Sequence, residues 1–303
     1  MFLKAHFLED SQMETCLDAD LLLVCKNSKP LITVRKEPTV RVLSPSLVAK
    51  HVCHLYNYRD ELGALERAKV LGIRVPNVRR VVTEPDGRGH FLIMDRIDGL
   101  TLEQIWPTIT LYDVVAVGLH LRQYVNAMRT DISQSSGGVY SGRTRSQWIE
   151  CIYGPIPRAT PHQFAQFLNW WLVDFKSSKY PPRPHLQVST PPYHVLVHQD
   201  LAPRNMILDS QKNLWLVDWG HSGYYPEYME GIGMDTTAMS WLEGHTWTAI
   251  WGRVKWGLLR LIVGFSYSSR GTLASGALST VYNRSIRYKL LKTPYSESEL
   301  CVS

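Results

Sequence analysis

The chain has 303 residues, 45% of them apolar and 20% charged. This is ordinary globular composition, which excludes disorder as the overall state, and the length suits one bilobal unit or two domains. Lys and Arg exceed Asp and Glu by 33 − 27 = 6. That surplus is compatible with ATP or another anion, and with no dense basic stripe or nucleic-acid-binding module it argues against a nucleic-acid partner.

The first thirty residues carry no readable element. The apolar run of "MFLKAHFLEDSQMETC" is broken by Lys4, His6, Glu9 and Asp10, which is not a secretory pattern. "LLLVC" at 21–25 is too short to span a bilayer, as is "WGLLRLIVGF" at 256–265, which reads as a buried helix. The five cysteines (16, 25, 53, 151 and 301) are odd in number and form no Cys-x-x-Cys, so they read as reduced thiols. His51, Cys53 and His54 lack a second ligand pair at zinc-site spacing. The expectation is a cytoplasmic protein without a membrane partner.

"TVRVL" at 39–43 and "LVAKH" at 47–51 are short β-branched runs separated by the turn signal "SPS". They read as a hairpin whose second strand carries Lys50. A helix follows from Arg59, with Asp60 as a cap and Leu62, Leu65, Ala68 and Leu71 at near-helical spacing; Gly72 and Pro76 stop it. "VRRVVTE" and "HFLIMDRI", joined by "PDGRG", read as another hairpin. Residues 1–98 therefore form a small sheet with one helix. Residues 99–303 turn helical, as in 111–128 and 162–175, and a Pro-rich connector covers 179–194. The expected fold class is α+β, with a small antiparallel-sheet lobe and a larger, mainly helical lobe.

The chemistry concentrates at "HQDLAPRN" (198–205) and "LVDWG" (216–220). "NMILDSQKNLWLVDWG" reads as strand, turn, strand, so Asn205 and Asp218 flank the two ends of one hairpin, and Asp200 lies on the loop before it. Oxygen ligands suit Mg2+, which keeps several waters and takes one or two protein groups plus phosphate oxygens. A separate carboxylate orients the attacking hydroxyl or accepts its proton. Asp200 is the expected base, and Asn205 and Asp218 the metal ligands. Taken singly, each residue reads as an ordinary turn cap; the ordered set is more specific. Lys50 supplies a cation for the donor phosphates. Glu61 is its candidate anionic partner and Glu66 a weaker one.

These segments resemble the aminoglycoside phosphotransferase family, within the protein-kinase-like fold, and are most similar to its fungal branch. "VHQDLAPRNMILD" and "LWLVDWG" resemble the catalytic loop and metal-binding strand. "GYYPEYMEG" at 223–231 is similar to the segment that follows. "LVAK", "ELGAL", "GIRVPNV" and "FLIMDRIDGLTLEQIW" match the N-lobe and hinge in order. The resemblance implies ATP and Mg2+ as cofactors, Lys50 on the phosphates with Glu61 as its ion-pair partner, and Asp200 as the catalytic aspartate. It also implies Asn205 and Asp218 as metal ligands, His198 as a brace for the catalytic loop, and Met94, Asp95, Arg96 and Ile97 lining the adenine through backbone groups. Two departures stand out. No glycine precedes Lys50 in "SKPLITVRKEPTVRVLSPS", and Gln199 stands where members often carry glycine.

The expected acceptor is a hydroxyl on a small molecule. Glu227, Glu230, Asp235 and Glu243, with Tyr224, Tyr225, Tyr228 and Trp241, are candidates for its pocket, although most of the acids also suit a solvated helix face. The glycine-free segment also fits a pseudokinase that only binds; the intact Lys50, Asp200, Asn205 and Asp218 favour catalysis. A Ser/Thr protein kinase lacks support, because no Ala-Pro-Glu segment follows Asp218.

Overall fold

The structure, a computed structural model, describes residues 13, 15–31, 39–53, 58–146, 148–149, 154–175, 181–241, 247–265 and 276–284, with backbone alone over 235–241 and 247–248. The elements run α1 (Asp18–Asn27), β1 (Lys29–Pro30), β2 (Val40–Val42), β3 (Leu47–Cys53), α2 (Tyr58–Val70), β4 (Val78–Thr83), β5 (Gly89–Asp95), β6 (Gly99–Thr101), α3 (Leu102–Ile105) and α4 (Leu111–Thr130). They continue with β7 (Ile132–Ser133), α5 (Pro161–Asn169), β8 (His194–Val197), β9 (Met206–Asp209), β10 (Leu214–Leu216), β11 (Gly223–Tyr225), α6 (Tyr228–Trp241) and α7 (Trp247–Val263). A last helix, α8, covers 276–284. The mixed class expected from the sequence is observed. The chain divides into two compact units, one formed by Met1–Tyr58, Arg74–Leu100 and Ile207–Val217, the other by Arg59–Ile73, Thr101–Met206 and Asp218–Ser303.

The first unit is built on an antiparallel sheet of order β1-β2-β3-β5-β4. β3 is its centre because "LVAKHVC" is rich in residues that pack on a pleated surface. Its register sets Lys50 opposite Val40 on one side and Leu92 on the other. Leu47, Ala49, Val82, Phe91 and Ile93 form one core with Leu21, Leu22 and Cys25 of α1. Burial pushes the Cys25 thiol up to about 12, so it stays protonated. The sequence of this segment shows no readable period. Asp18 and Asp20 in the first turn and Lys26 in the last match the helix dipole and were the available signal. The β4–β5 turn uses Gly87 at φ +69.

In the second unit, β8 pairs antiparallel with β7 and β11, and all four of its residues are buried. Val195 and Val197 pack with Phe164, Leu168, Trp171, Tyr225 and Met229. α5 starts at a capping box in which Thr160 accepts from the Gln163 N–H, with Pro161 at its first turn. The helix expected through 175 is α-helical only to Asn169, then a π turn runs over Trp170–Asp174. In α7, Trp256, Leu259 and Val263 are buried as expected. The Lys255 ammonium donates to the carbonyls of Trp106 and Ile109 at 3.1 and 3.0 Å. Among the described residues no helix is long and apolar enough to cross a membrane.

Helix α2 clusters with the second unit, and its polar contacts explain why. Asp60 was expected to cap it. The helix instead begins at Tyr58, and the buried Asp60 carboxylate accepts from the Tyr140 N–H, the Ser141 N–H and the Ser141 hydroxyl at 2.8, 2.7 and 2.6 Å. One turn on, the Arg67 guanidinium pairs with Asp131, which also accepts from the Tyr224 hydroxyl at 3.2 Å.

Candidate active site

The site is assembled by the turn that leaves β8. Gln199 takes φ +65, the left-handed region that glycine enters freely and other residues enter at a cost of about 1 kcal/mol. Here the Gln199 side chain compensates, since its Nε2 donates to the carbonyls of Arg145 and His221 at 2.9 and 2.6 Å.

The turn is held from below by Glu230 of α6. Its carboxylate accepts the His198 N–H at 2.5 Å and the Gln199 N–H at 3.0 Å. Gly233, one helical turn further, lets α6 reach the loop: a Cβ there would stand 2.4 Å from the Gln199 carbonyl oxygen. Glu230 is therefore a loop anchor, which corrects its candidacy for the acceptor pocket. Burial raises its carboxyl to about 7, against the two backbone N–H bonds and the nearby Arg129 that favour the ionised form.

His198 is fully buried and meets Trp219 edge to face at 4.7 Å. Its Nδ1 accepts the Asp200 N–H at 3.2 Å, and the Ser222 hydroxyl donates to its carbonyl at 3.4 Å. The imidazole thus fixes the backbone of Asp200.

Asp200 and Asn205 are brought into direct contact. The Asn205 Nδ2 donates to the Asp200 carbonyl at 2.9 Å and to its Oδ2 at 2.7 Å. With the amide nitrogen committed to Asp200, Oδ1 is the Asn205 atom left to act as a ligand. Asp200 also receives the Arg204 Nη2 at 2.7 Å on both oxygens, an ion pair for which sequence spacing alone gives no signal. Asp218 follows β10 by two residues in a left-handed conformation, φ +64 and ψ +63, and opens a 3-10 turn over Trp219–His221. It is half-buried and in the same unit as Asp200 and Asn205.

Among the described residues no group of three or more His, Cys, Asp or Glu side chains is arranged to hold a metal ion. His51 and Cys53 lie on β3 without forming such a group, and His54 is outside the described residues.

The remaining candidates fall in both units. Lys50 is half-buried on β3 in the first unit, and Glu61 is buried in the first turn of α2 in the second. Glu66 is exposed. Met94 and Asp95 end β5. The Asp95 carboxylate is engaged by Asn77 Nδ2 at 2.7 Å and Arg79 Nε at 2.6 Å. The N–H groups of Asp95 and Arg96 donate to the carbonyls of Asn77 and Ser46. Ile97 follows, half-buried and beyond the strand. The Tyr225 hydroxyl lies buried against the Arg145 backbone, Tyr224 serves Asp131, and Tyr228 packs on the core, so these three are structural. Glu227 is exposed, 3.8 Å from Arg129. The side chains of Asp235, Trp241 and Glu243 lie outside the described residues.

Residues 54–232 match the phosphotransferase enzyme family, more than half of the chain. The chain belongs to that family. The matched range contains Asp200, Asn205, Asp218 and Glu230, and Lys50 precedes it. Among solved structures, this phosphotransferase-family chain is similar to a thermostable mutant of aminoglycoside phosphotransferase APH(4)-Ia in its apo form. The identity is 15%, over 91% of this chain and 100% of that one, with a TM-score of 0.47. It is also similar to aminoglycoside phosphotransferase APH(3'')-Id from Streptomyces rimosus in complex with ADP and streptomycin. There the identity is 15%, over 87% and 99% of the two chains, with a TM-score of 0.46. No curated protein matches the chain.

Proposed function

We propose that this chain transfers the γ-phosphoryl group of ATP to a hydroxyl of a small molecule. The observation that carries this reading is the Asp200 carboxylate, buried and held by Asn205 and Arg204 on a loop whose backbone is anchored by Glu230. A carboxylate fixed this firmly is suited to receive a hydroxyl hydrogen and aim its oxygen at phosphorus. The new O–P bond forms as the bond from the γ-phosphorus to the ADP oxygen breaks, and the hydroxyl proton passes to Asp200. Asn205 Oδ1 and Asp218 would hold Mg2+, which supplies positive charge on the phosphate oxygens. Lys50 is assigned to the donor phosphates. Met94 and the backbone of Ile97 are assigned to the adenine; Asp95 and Arg96 serve there by shape, their amide hydrogens being spent inside the protein.

The test is ADP formation with a panel of small-molecule alcohols, with and without Mg2+. Wild type should form ADP only with Mg2+ and a matching acceptor. Asp218→Asn, which tolerates the left-handed conformation, should keep the fold and lose Mg2+-dependent nucleotide binding. Tight nucleotide binding without turnover on any acceptor would favour a pseudokinase instead.

A further inference from the structure

The ion pair at Asp200 has a consequence for how the carboxylate presents itself. Arg204 lies four residues after Asp200, in the short 3-10 turn Pro203–Asn205. Its Nη2 is 2.7 Å from both carboxylate oxygens, and Asn205 Nδ2 is 2.7 Å from Oδ2. The Asp200 side chain is 5% exposed and that of Arg204 29%. A carboxylate has about four acceptor directions. Three are occupied, two of them on Oδ2, so one remains, on Oδ1.

We infer that Arg204 is a positioning residue for the transfer: it locks the Asp200 carboxylate so that Oδ1 alone is offered to the acceptor hydroxyl. This rests on the phosphotransferase reading above and adds to it a residue and a geometry. Without Arg204, Asn205 still holds Oδ2, but the carboxylate plane is free to turn about that single anchor. The hydroxyl then meets a mixture of orientations, and misplacement of reacting groups by about 1 Å is enough to cost on the order of a hundredfold in rate. Lysine replaces the guanidinium only in part. Its ammonium is a point donor on a flexible stem and does not fix a plane. The hydrogen bonds are charge-assisted and the partner carboxylate is buried, which distinguishes the pair from an ordinary exposed i,i+4 contact.

The experiment compares wild type, Arg204→Met, Arg204→Lys and Asp200→Asn in Mg2+-dependent ADP formation. Thermal midpoints and nucleotide affinity are measured on the same samples. Arg204→Met should lower kcat by about ten- to a hundredfold while KM for ATP and the thermal midpoint stay close to wild type. Arg204→Lys should recover only part of the loss. Added guanidinium at millimolar concentration should raise the rate of an Arg204→Gly variant and leave wild type unchanged, a rescue that a purely structural role would not give. Full kcat in Arg204→Met alongside a dead Asp200→Asn would overturn this inference and leave the phosphotransferase reading standing. Full activity in Asp200→Asn, or no ADP from wild type, would overturn the phosphotransferase reading itself and this inference with it. An equal loss of stability and rate in Arg204→Met, without guanidinium rescue, would reduce Arg204 to a structural residue.

Discussion

Two buried titratable side chains give the protein opposed pH linkages. Glu230 has its carboxyl raised by burial from 4.5 to about 7. The folded protein therefore binds more protons than the unfolded chain between those values, and this group's contribution to stability falls as pH rises from 4.5 to 7. His194 on β8 packs edge to face on Phe164, with neither ring nitrogen hydrogen-bonded among the described residues, and burial lowers it from 6.5 to about 4. Here the folded protein binds fewer protons, so the contribution grows as pH rises from 4 to 6.5. Each amounts to roughly 3 kcal/mol across its window, and the two largely cancel between 4.5 and 6.5. Denaturant unfolding should therefore show wild type losing stability relative to Glu230→Gln as pH rises from 4.5 to 7. It should show wild type gaining relative to His194→Phe from pH 4 to 6.5. A flat difference in either pair would remove the corresponding assignment. Gln199 offers a second test at this scale. Gln199→Ala and Gln199→Gly both lose the bonds to Arg145 and His221, but only glycine is at ease at φ +65. The glycine variant should be more stable than the alanine variant by about 1 kcal/mol.

At the scale of elements, α6 and the loop after β8 act together. Glu230 and Gly233 lie three residues apart on one face of α6, the first bonding the loop's N–H groups and the second admitting its carbonyl. Gly233→Ala should push the loop away by the overlap of its Cβ with the Gln199 oxygen, reducing turnover at least tenfold with the rest of the fold retained in circular dichroism. Unchanged kinetics in that variant would mean the loop moves freely over α6. This coupling was not legible in the sequence, because a glutamate 30 residues past the loop looks like any first-turn acid on a polar face. Hydrophobic periodicity did reveal α4, whose expected span 111–128 is close to Leu111–Thr130. Turn chemistry revealed the β4–β5 hairpin through "PDGRG". Helix α1 escaped because "LLLVC" is a continuous apolar run without a clear period. β7 and β11 escaped because two- and three-residue strands are set by their partner β8, not by their own composition.

At the scale of the whole molecule, which unit each piece joins depends on long-range polar contacts that spacing does not show. Helix α2 follows the first-unit strands in sequence, yet Asp60 and Arg67 tie it to residues 131–141 of the second unit. The β9–β10 hairpin follows the loop after β8 but clusters with the first unit, in a sheet of order β10-β9-β6. Gly99 permits that pairing, since a Cβ there would stand 2.4 Å from the Leu208 carbonyl oxygen. The contact between Asp200 and Asn205 was legible because the two residues lie five apart in sequence. The anchors Glu230, Gly233 and Arg204 were not recognised, because their meaning lies in what they touch. The most direct test of the account is the pair of kcat and nucleotide Kd, measured with Mg2+ on Asp200→Asn beside wild type. With Asp200 acting on the acceptor hydroxyl as proposed, kcat should fall by about a hundredfold or more with Kd changed less than about threefold. Retained kcat, or a loss of nucleotide affinity that matches the loss of rate, would contradict it.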